Sequence, residues 1–418
     1  MMRHLPFLKM LAKAADVDHP MWRDVAPGYL MLRFFDRWMD EGPAIMSADP
    51  AFPALQGRIR STDTLPASVR DILLDVLERL VSAPDHDPVA AIDPLLAYAG
   101  YLHSAGQTSL SAHIYRTIGE MSAGRAGDPD ARIAHALTQY GFTSHLLGRL
   151  EIAEDAYTRA EEIAADANDT VQLLCARLGR ANVLNARGSL AVADTTLTQV
   201  IVDASAHALC KLEARALHAR GATRTALGQF DNAIRDYYRA YEMTNVASDR
   251  DVILRDLAAC EVEAGYRAEA REAHQLLAYT ATAPDASAVA WIHVIELAIL
   301  DNDRVAFDIA RRDFTAGMSR TAISAERGAR AALAIARGVE RFEGSGHARP
   351  AYRTAAAKAK AAKLPELELE ASRRSHHIVA NAPAVGKTSP AVAPPDCIRD
   401  ITNAIAAATR AVCPQRAS

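Results

Sequence analysis

The stretch LGQFDNAIRDYYRAYEM, Leu227–Met243, places Gly228, Ala233, Tyr237 and Ala240 at intervals that decide the fold. A glycine followed by a helical stripe of small and aromatic residues is the mark of a tight turn between two helices. Gly228 ends the first helix by taking the left-handed conformation that residues with a side chain resist. Two antiparallel helices approach closely only where side chains are small, so Gly221 before the turn and Ala233 after it let the backbones meet. Tyr237, one turn further on, fills the gap toward a neighbouring helix pair, and Ala240 continues the stripe.

The pattern recurs along the chain. Turn markers fall at Gly106, Gly148, Gly188, Gly228 and Gly265, then in weaker form at Asp301 and Gly346, with successive differences of 42, 40, 40, 37, 36 and 45 residues. Five residues after the markers stand Ser111, Ala153, Ala193, Ala233, Ala270, Ala306 and Ala351. Seven before them stand Ala99, Gly141, Ala181, Gly221, Ala258, Val294 and Val339. Nine after, the large residue of Tyr115, Tyr157, Leu197 and Tyr237 gives way to His274, Ala310 and Ala355.

Over roughly residues 92–363 the chain resembles the tetratricopeptide repeat family, in a long-period form found in bacterial regulators. Gly141, Gly148, Ala153, Tyr157 and Ala160 match its pattern, as do Gly221, Gly228, Ala233, Tyr237 and Ala240. Periods of 36 to 45 residues exceed the family's usual 34 or so. The resemblance implies an all-α solenoid of stacked helix-turn-helix units, a right-handed superhelix whose first helices line a concave wall. It also implies a protein- or peptide-binding role. Chaperone-binding members use a clamp of lysines, asparagines and an arginine on that wall; here only Asn182 falls in place, and Leu178 stands where one clamp lysine belongs. The match therefore does not extend to carboxylate-clamp recognition.

Outside the repeats, residues 1–85 read as a helical cap or as degenerate repeats. GYLMLRFFDRWM forms a broad apolar helix closed by Gly42-Pro43, and Val69, Leu73, Val76, Leu77 and Leu80 form another stripe. About seven repeats fill 86–363, and a helix follows over 364–382. Residues 383–395 are proline-rich and read as a linker. A last helix over 396–418 carries Ile398, Ile401, Ile405 and Ala408 on one face, which is expected to dock on the solenoid end or on a second copy, making a homodimer possible.

Composition narrows the function classes. Of 418 residues half are hydrophobic and 6% aromatic, and 47 Lys plus Arg face 51 Asp plus Glu for a formal charge of −4. That balance makes nucleic acid or an anionic membrane an improbable partner for the surface as a whole. Cys175, Cys210, Cys260, Cys397 and Cys413 show no CxxC pair, so reduced, mostly buried thiols are expected, without a disulfide framework or zinc site. Lys9 and Lys13 interrupt the apolar start, and no apolar run is long enough to span a bilayer, which gives a cytoplasmic expectation by default.

Catalytic motifs are lacking. NAPAVGKT has Asn381 where a phosphate-binding loop needs its first glycine, no strand before it and prolines after it. EGSGHAR reads as a long turn. His376 and His377, adjacent on a helix, point apart. The run HARPAYRTAAAKAKAAK, His347–Lys363, holds five Arg and Lys and no acid and reads as a solvated outer helix.

If first helices line the concave groove, residues three, six, ten and thirteen before each marker face it. That rule selects His103, His135, Phe142, His145, Asn182, Asn185, Arg215, His218, Arg255 and Trp291. Histidine, asparagine and arginine suit hydrogen bonding to an extended peptide, and Phe142 and Trp291 suit anchoring an apolar side chain. The expectation is a non-catalytic scaffold or adaptor with a protein or peptide ligand and no cofactor. Second comes a peptide- or small-molecule-responsive signalling regulator of the same repeat type, and third a metal-dependent hydrolase using the groove histidines.

Overall fold

Each predicted turn glycine in the first five hairpins adopts the left-handed conformation, with φ of 75° at Gly106, 71° at Gly148, 80° at Gly188, 73° at Gly228 and 85° at Gly265. At Gly228 the helix end closes as a helix–glycine cap: the Gly228 N–H donates to the Thr225 carbonyl at 2.9 Å and the Gln229 N–H to the Arg224 carbonyl at 2.8 Å.

The computed structural model describes residues 4–13, 20–41, 51–63, 65–83, 87–121, 130–318, 321–377 and 392–412. Every regular element among them is helical. The chain divides into two compact units, 1–203 and 204–418.

The first unit opens with α1 (Leu5–Lys13), α2 (Pro20–Glu41), α3 (Ala51–Arg60) and α4 (Ala67–Ser82). After a single 3₁₀ turn at Pro88–Ala91 come the hairpins α5 (Ile92–Ser104) with α6 (Thr108–Glu120), α7 (Ala131–Leu146) with α8 (Leu150–Asp166), and α9 (Thr170–Ala186) with α10 (Leu190–Ala206), the last reaching into the second unit. Helices α1 and α2 cover the first hairpin. A Cβ on Gly28 of α2 would fall 1.9 Å from the Tyr98 hydroxyl of α5, and Phe7, Met31, Leu32 and Trp38 are buried with Leu73, Leu77 and Leu80. A polar chain ties α1 down. Arg116 lies 3.3 Å from His113 Nδ1, His113 Nε2 lies 2.6 Å from His4 Nδ1, and His4 Nε2 lies 2.8 Å from Asp36. One proton arrangement satisfies all three contacts, each group donating toward the carboxylate.

Small residues earn their places here through one ring. Tyr157 of α8 lies between Gly141 of its own hairpin and Gly179 of the next: an added Cβ would sit 2.8 Å from the ring at Gly141 and 2.1 Å at Gly179. This is the gap-filling role expected of the aromatic column, and a methyl group at either glycine would displace the ring.

The second unit continues with α11 (Cys210–Ala226) and α12 (Phe230–Met243), α13 (Ala247–Ala264) and α14 (Arg267–Thr280), α15 (Pro284–Leu300) and α16 (Arg304–Met318), α17 (Ala325–Glu343) and α18 (Ser345–Ala361), then α19 (Pro365–His377) and α20 (Asp396–Val412). The two late markers shift. The left-handed residues are Asn302, φ 56°, and Gly344, φ 85°, rather than Asp301 and Gly346. Asparagine tolerates this conformation because its short polar side chain bonds locally. The aromatic filler moves too: Phe307 of α16, not Ala310, packs on Gly338 of α17, where a Cβ would lie 1.9 Å from the ring.

Helix α20 corrects the expectation of docking at the end of the stack. It packs on α14 and α12, with the hairpins α15–α16 and α17–α18 intervening before α19. Ile398, Ile401, Ile405 and Thr409 are its buried face. Consequently Ala273 through Ala278 of α14 are buried without interruption, which a helix covered on one side only does not achieve. The Val392 N–H donates to the Gly265 carbonyl at 3.4 Å, and Arg235 donates to the Cys397 sulfur at 2.8 Å. The proline-rich linker lies mostly outside the described residues. Among the described cysteines only Cys260 is buried and Cys210 is exposed, so burial of the thiols is not the general rule expected. No described helix is long and apolar enough to cross a membrane.

Candidate functional site

In the first unit the first helices of successive hairpins, α5, α7 and α9, carry six of the selected residues. Two contacts link these helices across their shared face. The His103 and Phe142 rings meet edge to face with centroids 5.7 Å apart, and His135 Nδ1 lies 3.3 Å from the Gln172 side-chain carbonyl. His103 is half-buried, and its Nδ1 has no hydrogen-bond partner among the described residues. Burial holds His145 below its ordinary pKa, so near neutrality it offers one donor and one acceptor without charge. Asn182 and Asn185, one turn apart on α9, are half-buried, and no hydrogen bond engages either amide among the described residues. Beside these polar groups stand exposed apolar ones, Phe142 at 41% and Leu146 at 57% exposure. A face with neutral hydrogen-bonding groups, an accessible ring and an aliphatic neighbour matches the chemistry of an extended peptide.

In the second unit Arg215 and His218 of α11 face α13. A depression of about 230 Å³ is lined by Ala214, Arg215, His218, Thr244, Asp249, Val252 and Ile253. His218 donates through Nε2 to Asp256 at 2.9 Å, and Arg255 donates through Nε to the other oxygen of Asp256 at 3.0 Å. Burial pushes the Asp256 carboxyl up, but the His218 hydrogen bond and the Arg255 charge outweigh it and leave the group below its ordinary value. It is therefore an anion that orients both donors. Arg215 is exposed and forms no ion pair among the described residues, leaving its guanidinium available beside the aliphatic wall of Val252 and Ile253.

Trp291 does not belong to such a face. It is 3% exposed and its ring stands edge-on to Tyr279 with centroids 5.0 Å apart. The offset rule misplaced it because the turn after α15 lies at Asn302, one residue beyond the marker used, and one residue turns a helical position by about 100°. Gln172 and Asp256, which orient His135 and His218, were missed. Both lie on first helices but outside the chosen offsets, and nothing local in the sequence marks them as partners. Among the described residues no three His, Cys, Asp or Glu side chains converge to hold a metal ion.

No protein-family model matches the chain, and no curated protein matches it. Several solved structures share features with it. BtubC (BKLC) from P. vanneervenii is 16% identical, with 47% of this chain and 83% of that one aligned at a TM-score of 0.41. The apo form of RapI is 12% identical, covering 68% of this chain and 98% of that one at 0.42. A Rap protein complexed with competence and sporulation factor is 10% identical, covering 84% and 97% at 0.42. At such scores and identities the likeness fixes neither a family nor a ligand.

Proposed function

We propose that the chain is a non-catalytic, peptide- or protein-binding helical-repeat scaffold, with an extended ligand lying along the first-helix faces. The observation that carries this reading is the pair Asn182 and Asn185, half-buried, one turn apart and with amides that no described residue engages, on a helix tied to the His135 and Phe142 face through Gln172. An asparagine amide offers two donors and an acceptor, which suits the alternating N–H and C=O groups of an extended backbone. Phe142 and Leu146 supply the apolar anchor.

The test is affinity capture from a lysate with the intact chain beside a variant carrying Asn182→Ala and Asn185→Ala, followed by titration of the captured partner. Two lost hydrogen bonds remove about 1–3 kcal/mol together, so the expected outcome is affinity weaker by about fivefold to 150-fold. A partner list and affinities equal to those of the unaltered chain would remove this face from the argument.

A further inference from the structure

The cationic run His347–Lys363 lies almost wholly on α18, and the fold arranges it in a way its composition does not disclose. Ala348, Tyr352, Ala355 and Ala359 form the buried stripe. On the opposite side Pro350, Thr354, Ala357 and Ala361 are exposed at intervals of four, three and four residues, a straight bed of small side chains along the helix. Arg353 and Lys360, seven residues apart, border the bed on one side, Lys358 borders it on the other, and Lys363 stands at its end, all exposed.

These four cations contrast with several of the arginines around them. Arg311 pairs with Glu343 at 2.5 Å, Arg337 with Glu370 at 2.7 Å and Arg374 with Glu340 at 3.3 Å. Arg353, Lys358, Lys360 and Lys363 have no ion pair among the described residues, although the chain carries more acids than bases. Cations bordering a small-residue bed are the complement of a helix with a small or apolar seam flanked by acids. The bed admits close backbone approach, and the borders meet the carboxylates.

We infer that the exposed face of α18 is a docking surface for an acidic amphipathic helix of a protein partner. The extent of the cationic bed favours this occupant over nucleic acid: a short acidic helix ends where the cations end, and charges lying more than a Debye length of about 8 Å beyond them feel little attraction. The bed also lacks the aromatic rings that stack on bases.

The test uses the full chain and a labelled, capped helical peptide of Glu-Ala-Ala-Ala repeats about sixteen residues long, read by fluorescence anisotropy at about 50 and 300 mM salt. A Lys-substituted peptide and a single-stranded oligonucleotide of equal charge are run in parallel. The Glu peptide is expected to bind at low salt and to weaken at least tenfold at high salt, and the Lys peptide is expected not to bind. Arg353→Gln, Lys358→Gln and Lys360→Gln together should weaken it at least tenfold with the helical content unchanged, and Ala357→Glu alone, which places an acid in the bed, should do the same. No binding at low salt, undiminished binding by both variants, or tighter binding of the oligonucleotide would each overturn the inference.

Discussion

Glu261 on α13 is fully buried, and neither of its carboxyl oxygens has a hydrogen-bond partner among the described residues. Burial, aided by the charge of Glu269, raises its pKa well above 4.5. The folded chain therefore holds a proton that the unfolded chain releases once the pH passes the unfolded value. Stability must then fall as pH rises, the reverse of a salt-bridged carboxylate, by about 1.4 kcal/mol per pH unit while the folded group stays protonated. Over any interval in which the unfolded group is ionised and the folded one still protonated, this slope sets the loss. Glu261→Gln keeps the shape and ends the titration, so its stability relative to the unaltered chain should rise with this slope across the interval. Urea unfolding of the intact chain followed by far-ultraviolet circular dichroism at three pH values measures it, and comparison at each pH cancels every other titrating group. A difference between variant and unaltered chain that stays constant with pH, or shrinks as pH rises, would refute the reasoning.

Other perturbations follow from the packing. Gly179→Ala pushes a Cβ to 2.1 Å from the Tyr157 ring and should destabilise the chain by about 1–3 kcal/mol through overpacking. Thermal unfolding should show partial recovery when Tyr157→Leu is added, because the leucine vacates the space. Ile405→Ala removes a side chain that is 1% exposed, at about 2–4 kcal/mol. Hydrogen exchange should show loss of protection over Asp396–Val412 while α13 remains protected. His113, lowered to about 3 by burial first and then by His4 and Arg116, stays neutral in the fold but takes up a proton near 6.5 when unfolded. Its contribution is complete above that value and is lost as pH falls toward 3. His113→Gln should flatten the acid limb of the stability curve in thermal scans from pH 7 to pH 4, and an unaltered limb would count against this account.

What could be read from the chain alone is what depends on near neighbours. A turn needs a left-handed residue whatever lies around it, so Gly106 through Gly265 were legible as turns. Close helix packing needs small residues at helical spacing, so Ala233 and Ala153 were legible as contact points. The first-helix positions of His135, Asn182 and His218 followed from the same periodicity. The late hairpins blurred because Asn302 and Gly344 replace the regular marker, and a shift of one residue was enough to turn Trp291 from a supposed anchor into an interior ring.

Periodicity says which side chains share a face of one helix, and not what that face meets. Only the tertiary structure decided that α20 doubles back over α14, that Glu261 is enclosed without a hydrogen-bond partner among the described residues, and that His4 reaches His113 across 109 residues of chain. The same holds for Arg353, Lys358, Lys360 and Lys363, whose lack of an ion pair among the described residues depends on where the acids of the unit have gone. The local pattern of this sequence determined its hairpins, because backbone sterics and helix contact act over a few residues. The docking of its last helix and the electrostatic character of its surfaces came from contacts distant in sequence, whose energies exist only once the chain has folded.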